Sequence, residues 1–114
     1  MNEIVHGECV SVMRDTLGDE SVDLVVTSPP YDGLRDYDGY SLDLHALGEQ
    51  VYRVLKEGGV AAVVMQDQTV DGRKTLTTFR TIVDWCDNIG FGYGSAQSIT
   101  ALVKTGLGGT NACA

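Results

Sequence analysis

The chain has 114 residues, 43% of them apolar, which bounds it to one globular domain with one core. No apolar run reaches bilayer length and no basic-then-apolar leader opens the chain, so no membrane partner and a cytoplasmic location are expected. The formal net charge is −8, and residues 1–50 carry eleven acids against Arg14 and Arg35, so the chain does not advertise the basic face of a self-sufficient binder of nucleic-acid duplex.

In chain order, Glu3-Ile4-Val5-His6 is a short apolar-leaning run stopped by Gly7, and predicts a first strand. Val10, Met13 and Leu17 recur at helical spacing, closed by Gly18-Asp19. Val22 to Thr27 is rich in β-branched residues and has no turn former, which predicts a buried strand of a parallel sheet, reached by a right-handed crossover. It stops at Thr27-Ser28-Pro29-Pro30-Tyr31. Both prolines lack an N–H and fix φ, so the strand ends in a stiff hook. The hook offers the Ser28 hydroxyl, backbone carbonyls and the face of Tyr31 at the carboxyl end of a strand, where open α/β sheets bind ligands.

Residues 32–40, with two glycines, four charges and two tyrosines, read as a loop. Arg35, Tyr37 and Tyr40 either contact a nucleic acid by phosphate pairing and stacking or are ordinary exposed side chains. Ser41 offers an N-cap to a helix whose stripe is Leu44, Leu47, Val51, Val54 and Leu55, ending at Gly58-Gly59. Val60 to Met65 predicts a second buried strand. Gln66-Asp67-Gln68 follows on the edge of the sheet that bears the hook, as pocket lining or as the plain start of a loop. Residues 69–75 read as a solvated turn. Leu76, Phe79, Ile82, Val83 and Cys86 form a third helical stripe, with Asn88 to Gly90 as its stop. Gly90-Phe91-Gly92-Tyr93-Gly94-Ser95 has alternate glycines and matches no phosphate-loop fingerprint. Ile99 to Val103 predicts one more strand, and the tail has no pattern. Cys9, Cys86 and Cys113 have no Cys-x-x-Cys or histidine spacing, so neither a disulfide framework nor a metal site is expected. Cys9 and Cys86 read as small apolar fillers, and His6 and His45 as surface or half-buried residues.

Thr27-Ser28-Pro29-Pro30-Tyr31 resembles the catalytic motif of the DNA amino-methyltransferases, which methylate the exocyclic N4 of cytosine or N6 of adenine. An exocyclic amine is a poor nucleophile because its lone pair is delocalised into the ring. Acceptors on its two hydrogens, here the Ser28 hydroxyl and the Pro29 carbonyl, favour a tetrahedral nitrogen, which is stabilisation aimed at a transition state. Tyr31 would stack on the flipped base. The resemblance therefore implies Ser28, Pro29, Pro30 and Tyr31 as the catalytic set, with DNA and S-adenosylmethionine as partner and cofactor. In that family a Gly-Asp pair before the catalytic strand sets a carboxylate against the adenosine part of the cofactor. The acid in this chain is Glu8, read either as that cofactor-binding residue or as a solvated acid. Tyr52 to Val60 is similar to the segment that joins a helix to the next sheet strand in many methyltransferases.

A catalytic motif near the N-terminus matches the permuted class in which the cofactor half comes last. The resemblance thus implies an α/β, parallel-sheet, Rossmann-like methyltransferase fold in partial form, with about four strands and three helices. Residues 1–105 would be its catalytic half and residues 106–114 a disordered tail. A Phe-x-Gly-x-Gly loop, an acidic strand end for the cofactor ribose and a target-recognition region are not found. A truncated fragment is expected, completed by a missing C-terminal half or a complementing chain. The grip on DNA would come from there, or from a patch around Arg35, Arg53, Arg73, Lys74 and Arg80. Ser before the prolines leans toward cytosine N4. The alternatives are a non-catalytic remnant or partner-binding module, and an unrelated nucleotide-binding enzyme, which lacks a Gly-x-x-x-x-Gly-Lys loop.

Overall fold

The structure is a computed structural model describing residues 2–29, 43–65, 67, 69–96 and 99–104. Helix α1 (Cys9–Thr16) leads to strand β1 (Val22–Thr27), and α2 (Leu44–Val54) runs directly into β2 (Leu55–Val64). A small hairpin of β3 (Thr69–Val70) and β4 (Arg73–Lys74) precedes α3 (Thr77–Asp84), which continues as a π-helical turn (Trp85–Ile89). β5 (Gly92–Ala96) and β6 (Ile99–Val103) follow. The hairpin turns on Asp71 and Gly72, whose φ angles of 52° and 77° are the two left-handed positions a type I′ turn requires.

The main sheet has the order β1-β2-β6-β5. The α/β architecture, three helices and four-stranded sheet are as expected, but only β1 and β2 are parallel. Connection length decides this difference. Residues 28–54 supply the crossover that a parallel neighbour needs, whereas the two residues between β5 and β6 allow only an antiparallel return. The Val22 strand is consequently an edge, not the centre, of the described sheet. Residues 3–6 form no strand, and Ile4 is 99% exposed.

All three helices contribute to one core, rather than being divided between the two faces of the sheet. Leu47 and Val51 of α2, Ala61 and Val63 of β2, Leu102, Trp85 and Phe91 are buried together, with Val10 and Met13 of α1, Val25 and Ile82 against them. The opposite face carries Leu24 and Val26, 57% and 67% exposed. Trp85 anchors the covered side: its Nε1 donates to Leu44 O at 3.0 Å and its ring stacks on Phe91, centroids 5.3 Å apart. Burying Trp85 turns Thr78 and Thr81 of α3 inward, so the stripe expected to be buried splits. Cys86 and Ile82 face the core, while Leu76, Phe79 and Val83 face outward. Cys86 is the buried filler expected, but Cys9 is exposed at the start of α1.

Helix α2 begins at Asp43, whose Oδ1 accepts from Ala46 N at 3.1 Å; the expected cap, Ser41, lies outside the described residues. The helix ends at Val54, four residues short of the glycines. Its final carbonyls are all engaged. Val51 O accepts from Leu55 N, Tyr52 O from Lys104 Nζ, Arg53 O from Glu20 N and Val54 O from Ser21 N. Gly58 and Gly59 serve a bulge instead. The β1/β2 register jumps from Val22↔Leu55 to Leu24↔Val60, Gly58 takes φ 80°, and a Cβ on Gly59 would meet Lys56 O at 2.8 Å.

Candidate active site

Parallel pairing of β1 with β2 brings their carboxyl ends to one edge of the sheet, in a register that sets Thr27 opposite Val63. Ser28 is the first residue beyond β1, and it is exposed. Pro29 behind it is buried. The strand is thus followed directly by an exposed serine and then by a buried proline. Pro30 and Tyr31, the other two residues of the expected catalytic set, lie outside the described residues, as do the loop 32–40, Gln66, Gln68 and the tail from 105 onward.

Asp67, expected either in a pocket or in a plain loop, caps a helix from outside it, its Oδ1 accepting from Thr78 N at 2.8 Å. The first turn of α3 has no cap of its own, because Leu76 at the N-cap position provides no side-chain bond. An acid leaving β2 therefore supplies it. The sequence carries no local sign of this, since donor and acceptor are eleven residues apart.

Glu8 caps α1. Its Oε2 accepts from Val10 N at 2.9 Å, and its Oε1 from Ser11 N at 3.1 Å and from Ser11 Oγ at 2.9 Å. The carboxylate is exposed, so it remains reachable by a ligand while holding the helix. Beside it, partial desolvation and the Glu8 charge raise the Cys9 thiol above its ordinary value. Glu8 and Ser28 are the outer ends of one helix–turn–strand unit.

Of the basic patch, Arg53 is used internally: it pairs with Asp19 at 2.7 Å and donates to Gln50 and to Met13 O. Arg73, Lys74 and Arg80 are exposed, and Arg35 lies outside the described residues. Among the described residues, no group of three or more His, Cys, Asp or Glu side chains could hold a metal ion. No described helix is long and apolar enough to cross a membrane.

The family model for DNA methylases that act on N6 or N4 matches residues 22–101, from the first residue of β1 into β6. The chain belongs to this DNA methylase family. It is 48% identical over 68 residues to the orphan methyltransferase M.BamHII of Bacillus amyloliquefaciens, a match covering 60% of this chain and 26% of that protein. Among solved structures, a DNA modification methylase from Thermus thermophilus superposes with TM-score 0.64 at 26% identity, covering 87% of this chain and 51% of that one. The same methylase complexed with S-adenosyl-L-methionine gives TM-score 0.62 at 23% identity. The cytosine-N4-specific PvuII DNA methyltransferase shares the fold, with TM-score 0.64 at 17% identity and 48% of its chain covered. The present chain therefore spans about half the length of these solved methylases and about a quarter of M.BamHII.

Proposed function

We propose that the chain is the catalytic half of an S-adenosylmethionine-dependent DNA methyltransferase acting on an exocyclic amino group, with N4 of cytosine favoured over N6 of adenine. The observation that carries this proposal is the position of Ser28, exposed at the carboxyl end of a parallel strand and backed by buried Pro29. Ser28 Oγ and the Pro29 carbonyl would accept the two amino hydrogens of a flipped base, drawing the nitrogen toward a tetrahedral geometry with its lone pair free. Pro30 would keep the corner extended, and Tyr31 would stack on the base. S-adenosylmethionine, when bound, supplies an electrophilic methyl group. Glu8 fits a place beside its adenosine part by charge and exposure, sharing its carboxylate with the α1 cap.

With a net charge of −8 and Arg53 committed inside the fold, the described basic patch is reduced to the exposed Arg73, Lys74 and Arg80, too little for a full grip on duplex phosphates. We assign that grip, and the remainder of the cofactor pocket, to a complementing segment or second chain, working in the cytoplasm. The exposed face of Leu24 and Val26, on a strand whose outer edge is unpaired among the described residues, is where such a segment would complete the sheet.

Two measurements test this assignment. Titration with labelled S-adenosylmethionine should show saturable binding that weakens in Glu8→Ala; no binding would favour a non-catalytic remnant. In a context that restores turnover, Ser28→Ala should slow methyl transfer by about 10²-fold or more while leaving cofactor binding intact. Equal turnover in Ser28→Ala and the parent would defeat the role given to the hydroxyl.

A further inference from the structure

Between Asp67 and Thr78 the chain leaves the body of the protein and returns. Asp67 Oδ1 accepts from Thr78 N at 2.8 Å, which fastens the two ends of this excursion together. What projects is the β3–β4 hairpin, with Thr69 paired to Lys74 and Val70 to Arg73. Every residue from Thr69 to Lys74 is exposed. A two-stranded ribbon buries too little to hold itself, so its shape depends on the clamp at its base and the turn at Asp71-Gly72. Its charge opposes that of the chain. Residues 72–83 carry Arg73, Lys74 and Arg80 and no acid, whereas the whole chain has a net charge of −8. Neither Arg73 nor Lys74 forms an ion pair among the described residues. The two are consecutive on β4, so their side chains leave opposite faces of the ribbon. The hairpin also follows directly from the edge of the sheet that bears Ser28. β2 ends at Val64, level with the exit of β1, and β3 begins at Thr69. Five residue steps span at most about 18 Å.

We propose that this hairpin is a DNA-backbone arm: with the target base turned out toward Ser28, Arg73 and Lys74 bind phosphates of the flanking duplex, one from each face of the ribbon. The proposal rests on the methyltransferase reading above and adds the element that seats the DNA beside the flipped base. A two-stranded ribbon fits the major groove, about 12 Å wide and walled by the two phosphate rows. Each strand carries one phosphate per about 3.4 Å of axis, so a reach of about 18 Å covers about five base pairs next to the target. Two phosphate contacts make a local seat and leave the remaining grip to the complementing segment. Asp67 is a positioning residue for the arm, fixing its direction through Thr78. Asp71 works against the arm: its carboxylate stands at the tip because the left-handed turn position favours Asp, Asn or Gly.

Chemical-shift titration of the full chain tests the arm, using a duplex of about 14 base pairs in about 20 mM salt, with one cytosine opposite an abasic site to ease flipping. Shifted amides should concentrate at residues 69–74 and at Ser28. Arg73→Gln and Lys74→Gln should each weaken binding about fivefold or more, and each should lower the slope of log affinity against log salt by about 0.9. Asp71→Asn keeps the turn and removes the acid, so it should tighten binding about twofold or more. Asp67→Ala should weaken binding although it removes a negative charge, and Asp67→Asn, which keeps an acceptor for Thr78 N, should restore at least the parent affinity. Arginine and lysine variants that bind as the parent does would overturn the arm. So would an Asp71→Asn chain of unchanged affinity, or a duplex that shifts no amide at about 1 mM. In each case saturable S-adenosylmethionine binding by the same samples would leave the methyltransferase reading standing, so the two failures are distinguishable.

Discussion

Lys104 reaches back 52 residues to donate from Nζ to Tyr52 O at 3.0 Å, while the same ammonium lies 4.6 Å from the centre of the Tyr52 ring. It also donates to Leu55 O at 2.9 Å, so one buried cation closes the junction at which α2 becomes β2. The C-terminal end of a helix favours a cation, and two carbonyls in a buried setting need donors. Lys104→Met keeps most of the stem volume and removes both bonds. We expect a loss of about 2–4 kcal/mol in urea unfolding, because two buried acceptors are left unpaired. A loss below about 0.5 kcal/mol would mean that water replaces the ammonium at no cost.

Gly48 faces the tryptophan that organises the core. A Cβ at that position would stand 2.5 Å from Trp85 Cε2 and 2.8 Å from Ile89 Cδ1. Gly48→Ala gains about 1 kcal/mol of helix propensity. It also drives α2 and the π turn apart, and such overpacking costs about 1–3 kcal/mol. A net destabilisation is expected, with a blunted near-ultraviolet signal from Trp85, the single tryptophan of the chain. An alanine variant more stable than the parent would show that the indole can move aside.

These two contacts mark where sequence reasoning stops. β1, the Leu47/Val51/Val54 stripe and β6 are legible because each is a local pattern of apolar residues at strand or helix period. β5 has the sequence Gly-Tyr-Gly-Ser-Ala, and no periodicity announces a strand that exists because β6 offers it a partner. The orientation of α3 is hidden for the same reason. By pattern alone Leu76, Phe79 and Val83 are as good a buried stripe as any, and only the distant Leu44 carbonyl and Phe91 ring turn Trp85 inward in their place. At the candidate site, the stop of β1 at Thr27, ahead of Pro29, was legible because a proline removes a ladder donor locally, whereas the helix-capping duties of Glu8 and Asp67 depend on neighbours not marked by any motif.

The double duty assigned to Glu8 can be separated. Glu8→Ala removes the cap and should cost about 1 kcal/mol. Glu8→Ser retains a capping oxygen without the charge, so its urea midpoint should return most of the way to the parent value. If the carboxylate also serves the cofactor, the serine variant should bind S-adenosylmethionine as poorly as the alanine variant despite its recovered stability. Cofactor affinity that tracks stability through both variants would reduce Glu8 to a cap.

His45 ties the start of α2 to the end of α3, with its Nδ1 2.8 Å from Asp84 Oδ2 and its Nε2 3.6 Å from Glu49 Oε1. The Asp84 hydrogen bond, with the charges of Asp84, Glu49 and Asp43, raises the imidazole above its ordinary 6.5 against a smaller opposing effect of desolvation. Burial pushes the Asp84 carboxyl up, but its bonds from Asn88 and His45 outweigh this and hold it below 3.8. The raised histidine contributes stability that is fully present below 6.5 and lost as pH climbs through its higher folded value. The lowered aspartate contributes stability that is present above 3.8 and lost as pH falls through its lower folded value. The pair is therefore worth most between these limits. The Tm difference between the parent and His45→Gln should be larger at about pH 5.5 than at about pH 9, and should shrink in about 0.5 M salt, because the ring is exposed and its charges are screened. Asp84→Asn should reduce the pH dependence of that difference, leaving the smaller share that Glu49 and Asp43 contribute. A difference that stays constant from acid to alkaline pH would mean that the contact holds the two helices as a neutral hydrogen bond, with no protonated imidazole involved.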